Sequence, residues 1–179
     1  GDVNLRMREI SLAVLDIAQN SIDANAGLIK IDLSVNDDFI EIKVSDDGEG
    51  MSDTQIERAT ELGVSYKGSS GLGLALLKDE ILQCDGVLNI KSEVGFGTDV
   101  EARYNRIAQA VIGDLGSTFV TLVDESFDTV LTLNIRGLVA EYDTRKIKSS
   151  ACVADLQSSG ALRLIREDIN KKTNGGAML

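Results

Sequence analysis

Along residues 5–24 apolar side chains recur at Ile10, Val14, Ile17 and Ile22, close to the helical period, which predicts an amphipathic helix. Asp16, Asn20 and Asp23 recur at i, i+4 and i+7 and therefore share one face of it. Leu28 to Ser34 and Phe39 to Ser45 alternate as strands do, and Asn36-Asp-Asp38 between them reads as the hairpin turn. A helix over 53–62 follows Ser52 or Asp53 as N-cap. Gly63 to Ser70 is a glycine- and serine-rich loop, and residues 72–84 form the next helix. Val87 to Ser92 and Asp99 to Tyr104 are strands. The order α-β-β-α-α-β-β predicts an α+β fold, a two-layer α/β sandwich with helices on one face of a mixed sheet.

Beyond residue 106 the pattern changes. Gly113 to Val123 is compatible with a helix, or with a strand over Thr118 to Val123. Thr129 to Ile135 and Leu138 to Tyr142 flank Arg136-Gly137 as a β-hairpin. Ala161 to Lys172 is an amphipathic helix carrying Leu162, Ile165 and Ile169 on one side, and Thr173 to Leu179 reads as a loose tail. The expected division is a domain over 1–106 and a small C-terminal α/β extension over 107–179.

Composition narrows the chemistry. The 179 residues, 43% of them hydrophobic, suffice for one well-buried core. A formal charge of −11 argues against nucleic acid and anionic membranes as partners, since phosphate neutralisation needs clustered Lys and Arg. No apolar run reaches the roughly 18–20 residues that span a bilayer, and no signal pattern is visible, so a cytoplasmic protein is expected. Gly1 in place of Met is what a cleaved tag or processed start leaves, and an upstream domain is compatible with it. Cys84 and Cys152 lack metal-ligand spacing and read as reduced core thiols. With no histidine in the chain, an imidazole base or phospho-accepting histidine cannot come from these residues.

Three further patterns carry chemistry. Asp46-Asp-Gly-Glu-Gly-Met51 follows a strand, and its first aspartate suits an Asx turn into Gly48. Ser69-Ser-Gly-Leu-Gly-Leu-Ala-Leu-Leu-Lys78 couples a glycine turn to a helix start, where unpaired N–H donors and a partial positive charge suit phosphate. Gly95-Phe-Gly-Thr-Asp-Val100 makes a second glycine turn between strands. As bare chemistry, the Asp16/Asn20/Asp23 stripe is equally a solvated helix face.

Taken in order and spacing over residues 5–104, these motifs resemble the GHKL ATP-binding superfamily: gyrase, the heat-shock chaperone, histidine kinases and MutL. The Asn20 helix resembles the N box, Asp46 to Met51 the G1 box, Ser70 to Leu74 the G2 box, and Gly97-Thr98 the closing GT motif. The likeness is closest to histidine-kinase-like stand-alone bacterial ATPases, although Asp23 resembles the gyrase and MutL branch. It implies that ATP and Mg²⁺ bind. Asp46 would accept a hydrogen bond from the adenine amino group, which guanine replaces with a carbonyl. Gly48 and Gly50 would let the chain pass over the base, Met51 would pack on it, and Thr98 would help hold Asp46 and a water. Asn20 would ligate Mg²⁺ through a neutral hard oxygen, with Asp23 beside it. Ser70, Gly71, Leu72, Gly73 and Leu74 would face the phosphates, joined by Lys67 from the loop.

Asp16 stands where many members carry a general-base Glu. Asp keeps the carboxylate on a side chain one methylene shorter, so binding is expected to survive while turnover is in question. The resemblance therefore implies an ATP-dependent kinase or slow ATPase acting on a protein partner. A non-catalytic nucleotide sensor and an ATP-gated dimeric clamp of the MutL or gyrase type are the alternatives.

Overall fold

The computed structural model describes residues 8–61, 73–105 and 110–174. Its helices and strands run α1 (Ile10–Asp23), β1 (Leu28–Val35), β2 (Ile40–Asp46), α2 (Asp53–Ala59), α3 (Gly73–Gln83), β3 (Val87–Glu93), β4 (Gly97–Tyr104) and α4 (Leu115–Thr121). There follow β5 (Asp128–Ile135), β6 (Leu138–Asp143), α5 (Thr144–Lys148), α6 (Val153–Ser158) and α7 (Ala161–Asn174).

The strands form one six-stranded sheet in the order β3-β4-β2-β1-β5-β6. All neighbours pair antiparallel except β1 and β5, which run parallel from Leu28↔Asp128 to Val35↔Ile135. Alternation within each strand decides which face is covered. Ile29, Ile31 and Leu33 of β1, Ile42 and Val44 of β2, and Val100, Ala102 and Tyr104 of β4 point inward and are buried. Lys30, Asp32, Lys43 and Asp99 point to the open face and are exposed. The helices lie against the apolar face, with α3, α1, α4 and α7 neighbouring one another in that order. The expected two-layer α+β sandwich is what forms.

Strand β5 adds directly to β1, so the C-terminal strands continue the sheet, and Leu115, Phe119, Leu131 and Ile169 join the same buried cluster as Ile17 and Val44. The 106/107 division falls at residues 106–109, outside the described ones. The extension also completes α1. Glu9 at its N-cap makes no side-chain cap bond; instead the Ile10 and Ser11 amides donate to the Val111 and Ile112 carbonyls at 2.8 and 2.9 Å. Two of the unpaired donors that every helix start exposes are thereby satisfied. The start of the helix bearing Asn20 is thus held by the segment at Val111 and Ile112.

Several boundaries differ from expectation. The Gly113 to Val123 segment is helical over Leu115–Thr121, capped by Asp114. Helix α2 stops at Ala59, after a capping box between Ser52 and Gln55. Thr173 is not part of a tail: it lies in α7, 1% exposed, continuing the stripe of Leu162 and Ile169, with its hydroxyl donated to the Ile169 carbonyl. Residues 175–179 of the expected tail lie outside the described residues. Cys84 is a buried thiol as expected, whereas Cys152, at the N-cap of α6, is exposed. The Arg136-Gly137 hairpin forms as read, with φ of 50° and 88° at the two turn residues, as a type I′ turn requires.

Asp114 fastens α4 to α7. Its carboxylate accepts from the Ser117 amide at 2.8 Å, the Asn170 amide at 2.7 Å and Arg166 at 2.8 Å. The Asn170 hydrogen bond, with those of Ser117 and Arg166, outweighs burial and holds this carboxyl well below the ordinary range. A depressed carboxyl stabilises the fold at pH above its unfolded value, and that share is lost as pH falls below about 4. Asp114→Ala should cost about 1–2 kcal/mol, a fall of roughly 2–8 °C in Tm. Thermal melts at pH 7 and pH 3 should show the wild-type advantage shrinking at the lower pH.

Candidate nucleotide site

A cavity of about 220 Å³ opens between α1 and the sheet. Its walls bring together distant parts of the chain: Asn20, Asp23 and Ser21 from α1, Asp46 from the end of β2, Gly50 and Met51 from the following loop, Thr98 from β4 and Leu74 from α3. Ile17, Val44, Val100 and Leu74 supply an apolar floor, each at most 4% exposed. A concave, largely apolar pocket with a few convergent polar groups is the usual form of a small-molecule site.

Asp46 sits where β2 leaves the sheet. One carboxylate oxygen accepts from the Gly48 amide at 2.9 Å, closing the expected Asx turn. The other accepts from the Ser21 hydroxyl at 2.6 Å. Ser21 is 2% exposed, so this bond ties helix to strand where water has little access. Thr98 is the register partner of Asp46 across β2 and β4, but its hydroxyl pairs with Ser92 Oγ at 2.7 Å. Ser92 also accepts from the Met51 amide at 2.7 Å and donates to the Gly97 carbonyl. The hydroxyl that orients Asp46 is therefore that of Ser21, and Thr98 belongs to a second set that fixes the Met51 turn. Neither serine is among the expected site residues, although Ser21 follows Asn20 directly within the Asn20 motif and falls on the buried side of α1.

The loop after Asp46 is pinned on both sides. The Glu49 amide donates to the Ala24 carbonyl at 2.8 Å, and the Gly95 amide donates to the Glu49 carbonyl at 2.7 Å. Gly50 has φ +70°, and a Cβ there would lie 2.0 Å from the Glu93 carbonyl oxygen, so only glycine permits the crossing. Asp47 caps the start of β1, accepting from the Gly27 and Leu28 amides at 2.7 and 2.9 Å.

Asn20 lines the cavity, and its amide makes no side-chain hydrogen bond among the described residues. A free neutral amide oxygen fits a hard cation that takes its remaining ligands from phosphate and water. Asp23 lines the cavity as well and accepts from Gln19 at 3.0 Å. Asp16 lies outside the lining. Its carboxylate is held by Arg8, which also grips Glu80 of α3. Gly73 opens α3 beside it, while Lys67, Ser70, Gly71 and Leu72 lie outside the described residues.

Residues 7–106, more than half of the chain, match the family described as histidine kinase-, DNA gyrase B- and HSP90-like ATPases. The chain belongs to this ATPase family. Relatives include a putative sensor histidine kinase, NtrY-like, of Rickettsia conorii, 31% identical over 103 residues that cover 56% of this chain and 17% of the relative. The sensor histidine kinase DcuS of Escherichia coli K12 is 32% identical over 88 residues, 46% of this chain and 16% of the relative. Full-length ShkA solved with AMPPNP is similar at 25% identity and a TM-score of 0.44, covering 52% of this chain and 20% of that one. The chain thus spans about a sixth of the length of the curated relatives it matches. What the family match covers is an ATP-binding, histidine-kinase-like ATPase domain, and it ends where the sequence pattern changes, at residue 106. Among the described residues no helix is long and apolar enough to cross a membrane.

Proposed function

We propose that this ATPase-family domain binds Mg·ATP with Asp46 reading the adenine amino group and Asn20 holding the metal, and that it serves a protein partner as a kinase or slow ATPase. One observation carries the reading: a single cavity gathers Asn20, Asp46, Met51 and Thr98, residues up to 78 positions apart, around an apolar slot. Mg²⁺ bound there would offset the phosphate charge, which a chain of net charge −11 does not itself supply. Since the chain holds no histidine, a histidine that receives phosphate lies on a partner or on protein outside these residues.

Asn20→Ala tests the metal assignment. The variant should bind ATP in Mg²⁺ no better than the wild type binds it in EDTA, while remaining folded. Retained Mg²⁺-dependent affinity in calorimetry would take Asn20 out of the metal site. The kinase reading is tested by incubating the protein with γ-labelled ATP and candidate partners and following label onto the partner. A second reading, a nucleotide sensor without turnover, is favoured by the engagement of Asp16 with Arg8.

A further inference from the structure

A cluster where α1 meets α3 is built around one guanidinium. Arg8 donates through Nη1 to Asp16 and through Nε to Glu80, with a second contact from Nη2 to Glu80 at 3.3 Å. The side chains of Arg8 and Glu80 are 22% and 12% exposed, and that of Asp16 is 39%. Burial works against the charged guanidinium, but Glu80 and Asp16 together outweigh it and hold its pKa above the ordinary value. Asp16 also packs on the start of α3, where a Cβ on Gly73 would lie 3.0 Å from the Asp16 Cβ. It precedes Asn20 by four residues, just over one helical turn and about 6 Å along the axis.

A general base needs a free lone pair within about 2.6–3.2 Å of the proton it removes. Asp16 keeps its second oxygen for such a proton, but Arg8, itself anchored on Glu80 of α3, grips the first and holds the side chain toward α3, away from the residues that line the cavity. We propose that Arg8 is a restraining residue: by holding Asp16 against Glu80 it keeps the candidate base idle, and loss of that grip is what raises turnover. The inference rests on the ATP-site reading above.

With Asp16 released, a water oxygen forms a bond to the γ-phosphorus as Asp16 takes the water proton. The bond from the γ-phosphorus to the β,γ-bridging oxygen breaks, and ADP departs with that electron pair. Inorganic phosphate is the second product, and Asp16 returns the proton to solvent.

The test compares single-turnover hydrolysis of Mg·ATP by wild type, Arg8→Gln, Arg8→Lys and Arg8→Gln/Asp16→Asn, with ATP affinity measured alongside by calorimetry. Arg8→Gln should raise the hydrolysis rate at least tenfold while affinity changes by less than threefold. Arg8→Lys, which keeps the cation, should stay near the wild-type rate. The double variant should lose the whole gain. A structural staple between α1 and α3 would not give this pattern, because its loss would lower Tm without a gain that depends on Asp16. Should Arg8→Gln fail to fold, Arg8→Met keeps the aliphatic stem and carries the same expectation. An unchanged or lower rate with ATP still bound overturns the inference alone, as does a gain that survives Asp16→Asn. Absence of ATP binding in the wild type overturns both the inference and the reading of the cavity.

Discussion

Gly97→Ala is expected to lower stability by about 3 kcal/mol or more, a fall of roughly 6–12 °C in Tm. Two costs act together. Gly97 has φ +114°, which L side chains rarely adopt, and a Cβ there would lie 1.9 Å from the Asp46 carbonyl oxygen. That oxygen is backbone, so relief requires the β2 and β4 ends to separate where Asp46 pairs with Thr98. Nucleotide affinity should fall with stability, because the displaced strand end carries Asp46. Gly95 is the control: its φ is +88°, but nothing lies within 4 Å of its added Cβ. Gly95→Ala should therefore cost only the backbone strain, roughly 1 kcal/mol. Equal losses at the two positions in thermal melts would show that crowding against Asp46 is not the cause.

Asp46→Asn should weaken Mg·ATP binding by about 1–3 kcal/mol, or roughly 5- to 150-fold. The substitution replaces an acceptor-only group with one that offers N–H donors, so one edge of the slot would oppose the adenine amino group instead of accepting from it. The fold should tolerate the change. Asparagine retains an oxygen for the Gly48 amide, and the Ser21 hydroxyl can rotate to accept instead of donate. Melts near the wild-type Tm combined with a large affinity loss would fit a ligand-reading role. A large fall in Tm with affinity intact would mark Asp46 as part of the Ser21 tie alone.

The parts of the site that were legible in the sequence are those set by local spacing. Asp16, Asn20 and Asp23 share a helix face because of the 3.6 period, and the Asp46 turn into Gly48 follows from a short polar side chain before glycine. The hidden parts depend on which strands meet and how deep a side chain lies. Asp46 and Thr98 are register partners, yet the carboxylate turns toward α1 and finds Ser21, while the threonine turns toward Ser92. The Arg8–Glu80 contact joins residues 72 positions apart and needs α3 to pack on α1. The C-terminal hairpin was readable from Arg136-Gly137, but its attachment to β1 was not. Parallel pairing leaves no turn in the sequence to announce it. Cys152 differs from the expected core thiol because its exposure depends on how α6 packs, which the residue type does not encode.

The central claim is that the cavity beside Asn20 and Asp46 is an adenine-nucleotide site. Titration calorimetry of the wild-type protein with Mg·ATP and Mg·GTP tests it most directly. The expected result is one ATP bound per chain, at least tenfold tighter than GTP. Equal affinities for the two nucleotides, or no binding of ATP, would contradict it.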